Sequence, residues 1–226
     1  RQFVTLAVRA DWMCAYCVCA VCGAANQQDL KPENILLVSN DYEVHKRLST
    51  SGSGRIKEWK VPKSGRIKLI DFGSATYDDQ HHTSIVCTRH YRPPEVVLGL
   101  GWSYPCDIWS IGCILMEMYT GEALFQTHDN LEHLALMEAT LDRKIPEPMV
   151  QRAKVDRRGR PRHAAKYFEE RRDLLRWPAG ATGDSSIDYV RKTEPISELI
   201  PRKHDSFYDL IKEMLRADPD RRCTAA

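Results

Sequence analysis

The sequence predicts a mostly helical α+β domain with a short β-hairpin at a cleft, and three stretches predict it. Two are polar runs beside short apolar ones. Asp29-Leu30-Lys31-Pro32-Glu33-Asn34 precedes Ile35-Leu36-Leu37-Val38, and Asp71-Phe72-Gly73 follows Ile67-Lys68-Leu69-Ile70. The apolar stretches read as short strands that bring both polar runs to one cleft. The third stretch, Asp107–Tyr119, is apolar on nearly every face and stops at Thr120-Gly121. Such a helix belongs at the centre of a domain, and Gly suits the residue just past its end. It is too short for a membrane span, which takes roughly 20 apolar residues.

Taken in order, Arg1–Ala25 is apolar and nearly free of breakers, so a poor helix from Val4 to Val21 is conceivable. It carries Cys14, Cys17, Cys19 and Cys22. A single residue between the two Cys-x2-Cys knuckles is short for a chain that must wrap a zinc tetrahedron. The segment therefore reads as foreign to the domain, the product of a wrong exon boundary, with zinc binding as the alternative. The domain proper is expected over 26–226. Within it Asn40–Gly65 is polar and Ser/Gly-rich, and reads as a long solvated, mobile stretch without structure of its own rather than a functional loop. Asp78–His82 should be exposed loop. Helices are expected at about Asp107–Thr120, Asn130–Thr140 (Leu131, Leu134 and Met137 inward) and Phe207–Ala217. Trp177-Pro178 and Gly180–Gly183 should turn. Arg152–Arg172 is locally basic, but Asp156, Glu169 and Glu170 make it a solvated face rather than a phosphate site.

At 226 residues the chain can bury one sizeable core, and 42% hydrophobic with 28% charged residues is ordinary globular composition. A net charge of +2 implies no bulk attraction to nucleic acid or membrane. With no membrane span and no convincing secretory signal, the expectation is an intracellular chain whose Cys87, Cys106, Cys113 and Cys223 are reduced thiols.

A carboxylate and an Asn in one loop, with a second carboxylate beside a Gly, are the parts needed to align a hydroxyl and hold Mg²⁺ on a triphosphate. Two solvated polar turns are the plainer alternative. The two runs together resemble the catalytic core of a eukaryotic protein kinase. The resemblance implies a protein kinase-like fold, here the large lobe only, acting on ATP with Mg²⁺. It implies that Asp29 accepts or orients the substrate hydroxyl proton and that Lys31 neutralises the moving phosphoryl group. Asn34 and Asp71 would hold the metal, and Leu36 would floor the adenine pocket. Lys31, Glu33, Asn34, Leu36 and Asp71 would together form the nucleotide site.

Thr88-Arg89-His90-Tyr91-Arg92-Pro93-Pro94-Glu95 resembles the end of that family's activation segment. It implies that Thr88 hydrogen-bonds Asp29 and Lys31, and that Glu95 pairs with an Arg of Asp218-Pro219-Asp220-Arg221-Arg222, the spacing selecting Arg222. Asp107 would cap backbone amides of the Asp29 loop. Two unrelated surface charges are the alternative for Glu95 and Arg222.

Asp129-Asn130-Leu131-Glu132-His133-Leu134-Ala135-Leu136-Met137-Glu138 is similar to the signature of the LAMMER kinases, the CDC-like dual-specificity group. Leu136 stands for a Met, a volume-conserving change, and Ala139 for an Arg. Phe72–Ser84 and Gly101–Asp107 resemble the same group. The resemblance implies phosphorylation of Ser and Thr, Tyr in autophosphorylation, Arg/Ser-rich splicing factors as substrates, a nuclear location and a monomer.

Two departures bear on activity. No Gly-rich phosphate loop precedes Asp29, so the chain reads as a large lobe cut at both ends. Gln27-Gln28 also stand where the group has His and a residue other than Arg. Gln28 fits; Gln27 is expected to pack poorly on Phe72 and to loosen Asp71. Two readings follow: a protein kinase, or a catalytically inactive lobe that docks peptides or proteins.

Overall fold

The computed structural model describes residues 25–48, 56–77, 80, 83 and 85–225. The cysteines at 14, 17, 19 and 22, the stretch from Val4 to Val21, and four of the five residues of the Asp78–His82 loop lie outside them. Gln80 of that loop is exposed, as expected.

Helices dominate: α1 (Pro94–Val97), α2 (Pro105–Thr120), α3 (Asn130–Leu141), α4 (Glu147–Lys154), α5 (Asp184–Arg191), α6 (Ile196–Leu199) and α7 (Asp205–Met214). The apolar α2 is the central post, with every residue from Cys106 to Met116 buried. It begins before Asp107 because Pro105 sits in its first turn, where a missing N–H is harmless. It stops at Gly121, whose φ of 89° suits glycine. Trp109 stacks on Phe125 at 5.9 Å between ring centroids. Gly112 is dictated by packing, since a Cβ there would lie 2.8 Å from Leu215 Cδ2 where the end of α7 crosses α2. Helix α7 ends at Met214 rather than Ala217: Leu215 leaves helical geometry, and Asp218 then caps a separate turn at Pro219–Arg221.

Helix α3 starts at a true cap, the Asp129 side chain accepting from Glu132 N at 2.9 Å, and ends at Asp142 in the left-handed region. Leu131, Leu134 and Met137 point inward as expected. His133, Ala135, Leu136 and Thr140 are buried too, so the helix is enclosed on more than one face. Trp177-Pro178 turns through a cis peptide bond. The basic stretch after α4 is solvated, with Asp156 paired to Arg160 and Lys154 to Asp173.

Among the described residues the strands form three antiparallel pairs: β1 (Ala25–Asn26) with β6 (Thr76–Tyr77), β2 (Ile35–Leu37) with β5 (Ile67–Leu69), and β3 (Tyr42–Leu48) with β4 (Ile56–Pro62). The β2–β5 pair is the expected hairpin at the cleft. The β3–β4 pair corrects the expectation of a structureless insertion over Asn40–Gly65. Two seven-residue strands pair in register from Tyr42↔Pro62 to Leu48↔Ile56. Cross-strand contacts explain the ladder: His45 stacks on Trp59 at 5.8 Å, the Lys60 ammonium lies 4.1 Å from the Tyr42 ring centroid, and Lys46 pairs with Glu58 at 2.7 Å. Among the described residues no helix is long and apolar enough to cross a membrane.

Candidate active site

The β2–β5 hairpin sets the site's geometry. Its ladder continues into the polar runs, Ile70 N donating to Asn34 O at 3.0 Å, so the residue before Asp71 lies against the end of the Asp29 loop. Pro32 opens a short 3₁₀ turn, Pro32–Asn34, that folds this loop on itself. Asn34 Nδ2 then donates to Asp29 O at 2.9 Å.

Both oxygens of Asp29 are held. Thr88 Oγ1 donates to Oδ1 at 2.6 Å, and Lys31 Nζ donates to Oδ2 at 2.5 Å. The expected Thr88–Lys31 hydrogen bond is not among those formed. The carboxylate stands between the two groups and takes one on each oxygen, so they connect through it. Burial pushes the Asp29 carboxyl up, but the hydrogen bonds and charge of Lys31 with the Thr88 bonds outweigh it and leave it below the usual range. Lys31 is shifted up, first by its hydrogen bond to Asp29 against some burial, then by the charges of Asp71 and Glu33. Asp29, Lys31, Glu33 and Asp71 thus form one electrostatic cluster. Glu33 itself is exposed, and Leu36, paired with Lys68, is 45% exposed and open to a ligand.

Asp107 supports this loop from α2 as expected, accepting from Gln27 N at 2.8 Å and Gln28 N at 3.1 Å. Burial drives its carboxyl up to about 6 despite those bonds. Glu95 and Arg222 form a buried two-pronged pair, Nη1 to Oε1 at 2.8 Å and Nη2 to Oε2 at 2.9 Å, which ties α1 to the turn after α7.

Sequence reasoning missed the part played by Gln27. Its Nε2 donates to Asp71 O at 2.9 Å while its Oε1 accepts from Asp29 N at 3.1 Å, so one buried amide clasps both polar runs. The expectation that Gln27 would loosen Asp71 by packing badly on Phe72 is corrected. Phe72 is 58% exposed, and Asp71 is gripped through its own carbonyl at a left-handed φ of 63°. An amide can donate and accept at once, and that bifunctionality was the available signal. Gln28 adds a second tie, its Nε2 donating to Thr76 Oγ1.

The donors present fit Mg²⁺. Asn34 spends its NH₂ on Asp29, which leaves its carbonyl oxygen for a cation, and the Asp71 carboxylate is exposed. Among the described residues no group of three or more His, Cys, Asp or Glu could cage a metal. One carboxylate and one amide oxygen, completed by waters and ligand phosphates, is the pattern Mg²⁺ prefers.

Residues 26–226 match the family model of the protein kinase domain. The chain is 52% identical over 202 residues to serine/threonine-protein kinase AFC2 of Arabidopsis thaliana, covering 87% of this chain and 45% of that protein. It is 46% identical over 200 residues to dual specificity protein kinase CLK4 of Mus musculus, covering 87% of this chain and 37% of that protein. The chain therefore spans less than half the length of these curated relatives. The crystal structure of the PF14_0431 kinase domain superposes with a TM-score of 0.83 at 35% identity, covering 98% of this chain and 64% of that one.

Proposed function

The chain belongs to the protein kinase domain family, and from that premise we propose that it carries the catalytic loop of a LAMMER-type kinase. Such an enzyme transfers the γ-phosphoryl of ATP to Ser and Thr of proteins, and to Tyr by autophosphorylation. We place the catalytic unit in residues 26–226 and favour Arg/Ser-rich splicing factors as substrates, a nuclear location and a monomer. The similarity to AFC2 and CLK4 supports the subfamily. The observation that carries the activity is the continuous linkage from Thr88 through Asp29 to Lys31, with Gln27 joining Asp29 to Asp71.

Each residue has a role in that linkage. Asp29, held ionised by Lys31 and Thr88, accepts a hydrogen bond from the incoming hydroxyl and aims its oxygen. Lys31 places a cation beside that oxygen. Asn34 and Asp71 would hold Mg²⁺, whose chemistry is to neutralise charge on the nucleotide's phosphates. Thr88 couples the peptide-docking segment to Asp29, so an acceptor peptide and the aligning carboxylate move together. Leu36 offers an apolar surface to adenine.

The full-length protein containing this chain should phosphorylate an Arg/Ser-rich peptide, and Asp71→Ala should abolish it; activity unaffected by that change would refute the assignment. The exposure of Leu36, Val38, Ile70 and Phe72 favours a second reading for the isolated chain, a module that docks peptides without transferring phosphate. Calorimetry with Mg-ATP separates the two: micromolar affinity for the isolated chain supports the enzyme, and no heat supports the module.

A further inference from the structure

Phosphoryl transfer leaves two thiols beside the site without a task. Cys87 and Cys106 pack with Val86 and Val96 in a small apolar cluster apart from the main core. Cys106 Sγ donates to Asp107 Oδ1 at 3.9 Å, and the neighbouring Cys87 thiol, followed by burial, pushes the Cys106 thiol up. Cys106 has no exposure at all, whereas Cys87 keeps 7% and lines a cleft of about 490 Å³ together with Asp29, Gly73, Thr88 and Arg92. A small oxidant entering the cleft therefore meets Cys87 first, while Cys106 lies fully buried in the same cluster.

The pair also joins two supports of the catalytic loop. Cys87 sits at a left-handed φ of 63°, a conformation non-glycine residues hold only when pinned. The pins are visible: Cys87 N donates to Gln28 O at 2.9 Å, and Arg92 Nη2 donates to Cys87 O at 2.9 Å. The next residue is Thr88, bonded to Asp29, and the residue after Cys106 is Asp107, bonded to the amides of Gln27 and Gln28. A covalent link between the sulfurs would thus bridge the struts on either side of Asp29.

We propose that Cys87 and Cys106 are an oxidisable dithiol, a modification site at which hydrogen peroxide closes an intramolecular disulfide that reversibly weakens phosphoryl transfer. The Cys87 sulfur attacks one peroxide oxygen and the O–O bond breaks. The departing oxygen leaves as water, taking the Cys87 proton, and Cys87 becomes a sulfenic acid. The Cys106 sulfur then attacks the Cys87 sulfur, the S–O bond breaks, and the hydroxyl leaves as a second water with the Cys106 proton. Two thiols lose two electrons in all, and the peroxide gains them. Closing to a bond of about 2.05 Å draws Cys87 toward α2. Thr88 is pulled with it, off its 2.6 Å hydrogen bond to Asp29. That consequence rests on the kinase reading; the cross-link itself does not.

The test treats the full-length protein with hydrogen peroxide, traps remaining thiols with N-ethylmaleimide under denaturing conditions, and maps the digest by mass without reductant. We expect a Cys87–Cys106 cross-linked peptide that dithiothreitol removes, that Cys87→Ser lacks and that Cys113→Ala retains. Phosphorylation of the Arg/Ser-rich peptide should fall by roughly tenfold or more with the cross-link and return with dithiothreitol. Free alkylated thiols at both positions, a sulfinic acid at Cys87, or pairing of either with another cysteine overturns the proposal. A cross-link that leaves an active enzyme at full rate overturns its regulatory half. If the untreated protein transfers no phosphate, the kinase reading fails while the peptide map still decides the dithiol.

Discussion

Replacing Arg222 with Ala should destabilise this domain more than almost any other single change outside the central helix. The guanidinium makes five hydrogen bonds: two to Glu95 and one each to the carbonyls of Pro105, Arg216 and Ala217. It also lies 5.2 Å from the Trp109 ring centroid. Its side chain is 0% exposed and that of Glu95 2%. Removing the cation leaves a carboxylate buried with no counter-charge, a loss of about 3–5 kcal/mol. With a urea slope of about 2 kcal/mol per molar for a domain of this size, the unfolding midpoint should fall by about 2 M. The decisive variant is the double replacement, Glu95→Met with Arg222→Met. A buried pair removed whole leaves no orphan charge, and well-packed apolar replacements are often neutral or better. The double variant should therefore be more stable than Arg222→Ala alone, with an unchanged slope. Two results refute the reasoning: a midpoint shift in Arg222→Ala below roughly 0.5 M, or a double variant no better than the single.

The clasp and the buried acid make two further predictions. Gln27→Ala strips the bonds to Asp29 N and Asp71 O and should lower the full-length protein's kcat by roughly 10²-fold, the scale set by small misplacements of catalytic groups. Gln27→His, which can also donate with one nitrogen and accept with the other, should recover much of the rate, and steady-state kinetics on the Arg/Ser-rich peptide will show whether it does. Asp107, raised to about 6 from an ordinary value of 3.8, binds a proton in the folded state before the unfolded chain does. Its contribution to stability is thus full below about pH 4 and is lost as pH rises to about 6, by a total of about 3 kcal/mol. His133 works in the opposite direction. Burial first, then the charges of Arg89, Arg92 and His90, hold it down to about 3, so stability falls as pH drops below 6.5. The difference in unfolding free energy between Asp107→Asn and the parent, followed from pH 4 to 7, isolates the Asp107 slope; a flat difference curve would exclude it.

What the sequence revealed and what it hid divide along a physical line. Asp29, Asn34 and Asp71 were legible as one cluster because each lies in a polar run beside a short apolar stretch, and pairing of those stretches as β2 and β5 brings the two runs together. Glu95 and Arg222 were legible only through resemblance, since nothing local in either stretch requires an ion pair so far along the chain. The β3–β4 hairpin was hidden by composition. The polar, Ser/Gly-rich sequence from 49 to 55 suggests solvated chain, while the alternation of Tyr42 and Val44 with charged neighbours is the weaker, truer signal. Helix α3 reads as amphipathic because His133 and Thr140 count as polar, yet both are 0% exposed. Tertiary enclosure there overrides the pattern.

Gln27 shows why a departure from a motif need not be a defect. A position may be filled by any side chain that supplies the same contacts, and the contacts here are one donor and one acceptor held between two backbone groups. Judged by packing against Phe72, an amide looks inferior to an aromatic ring. Judged by hydrogen bonding, it meets both requirements in one planar group, and the exposure of Phe72 means the packing criterion never applied. The relevant property of Gln27 is thus which backbone atoms it fixes, and that is set by fold geometry rather than by its neighbours in sequence. The same holds for Cys87 and Cys106. Their spacing along the chain signals nothing, and only the meeting of the stretch around Cys87 with the first turn of α2 brings them into one cluster.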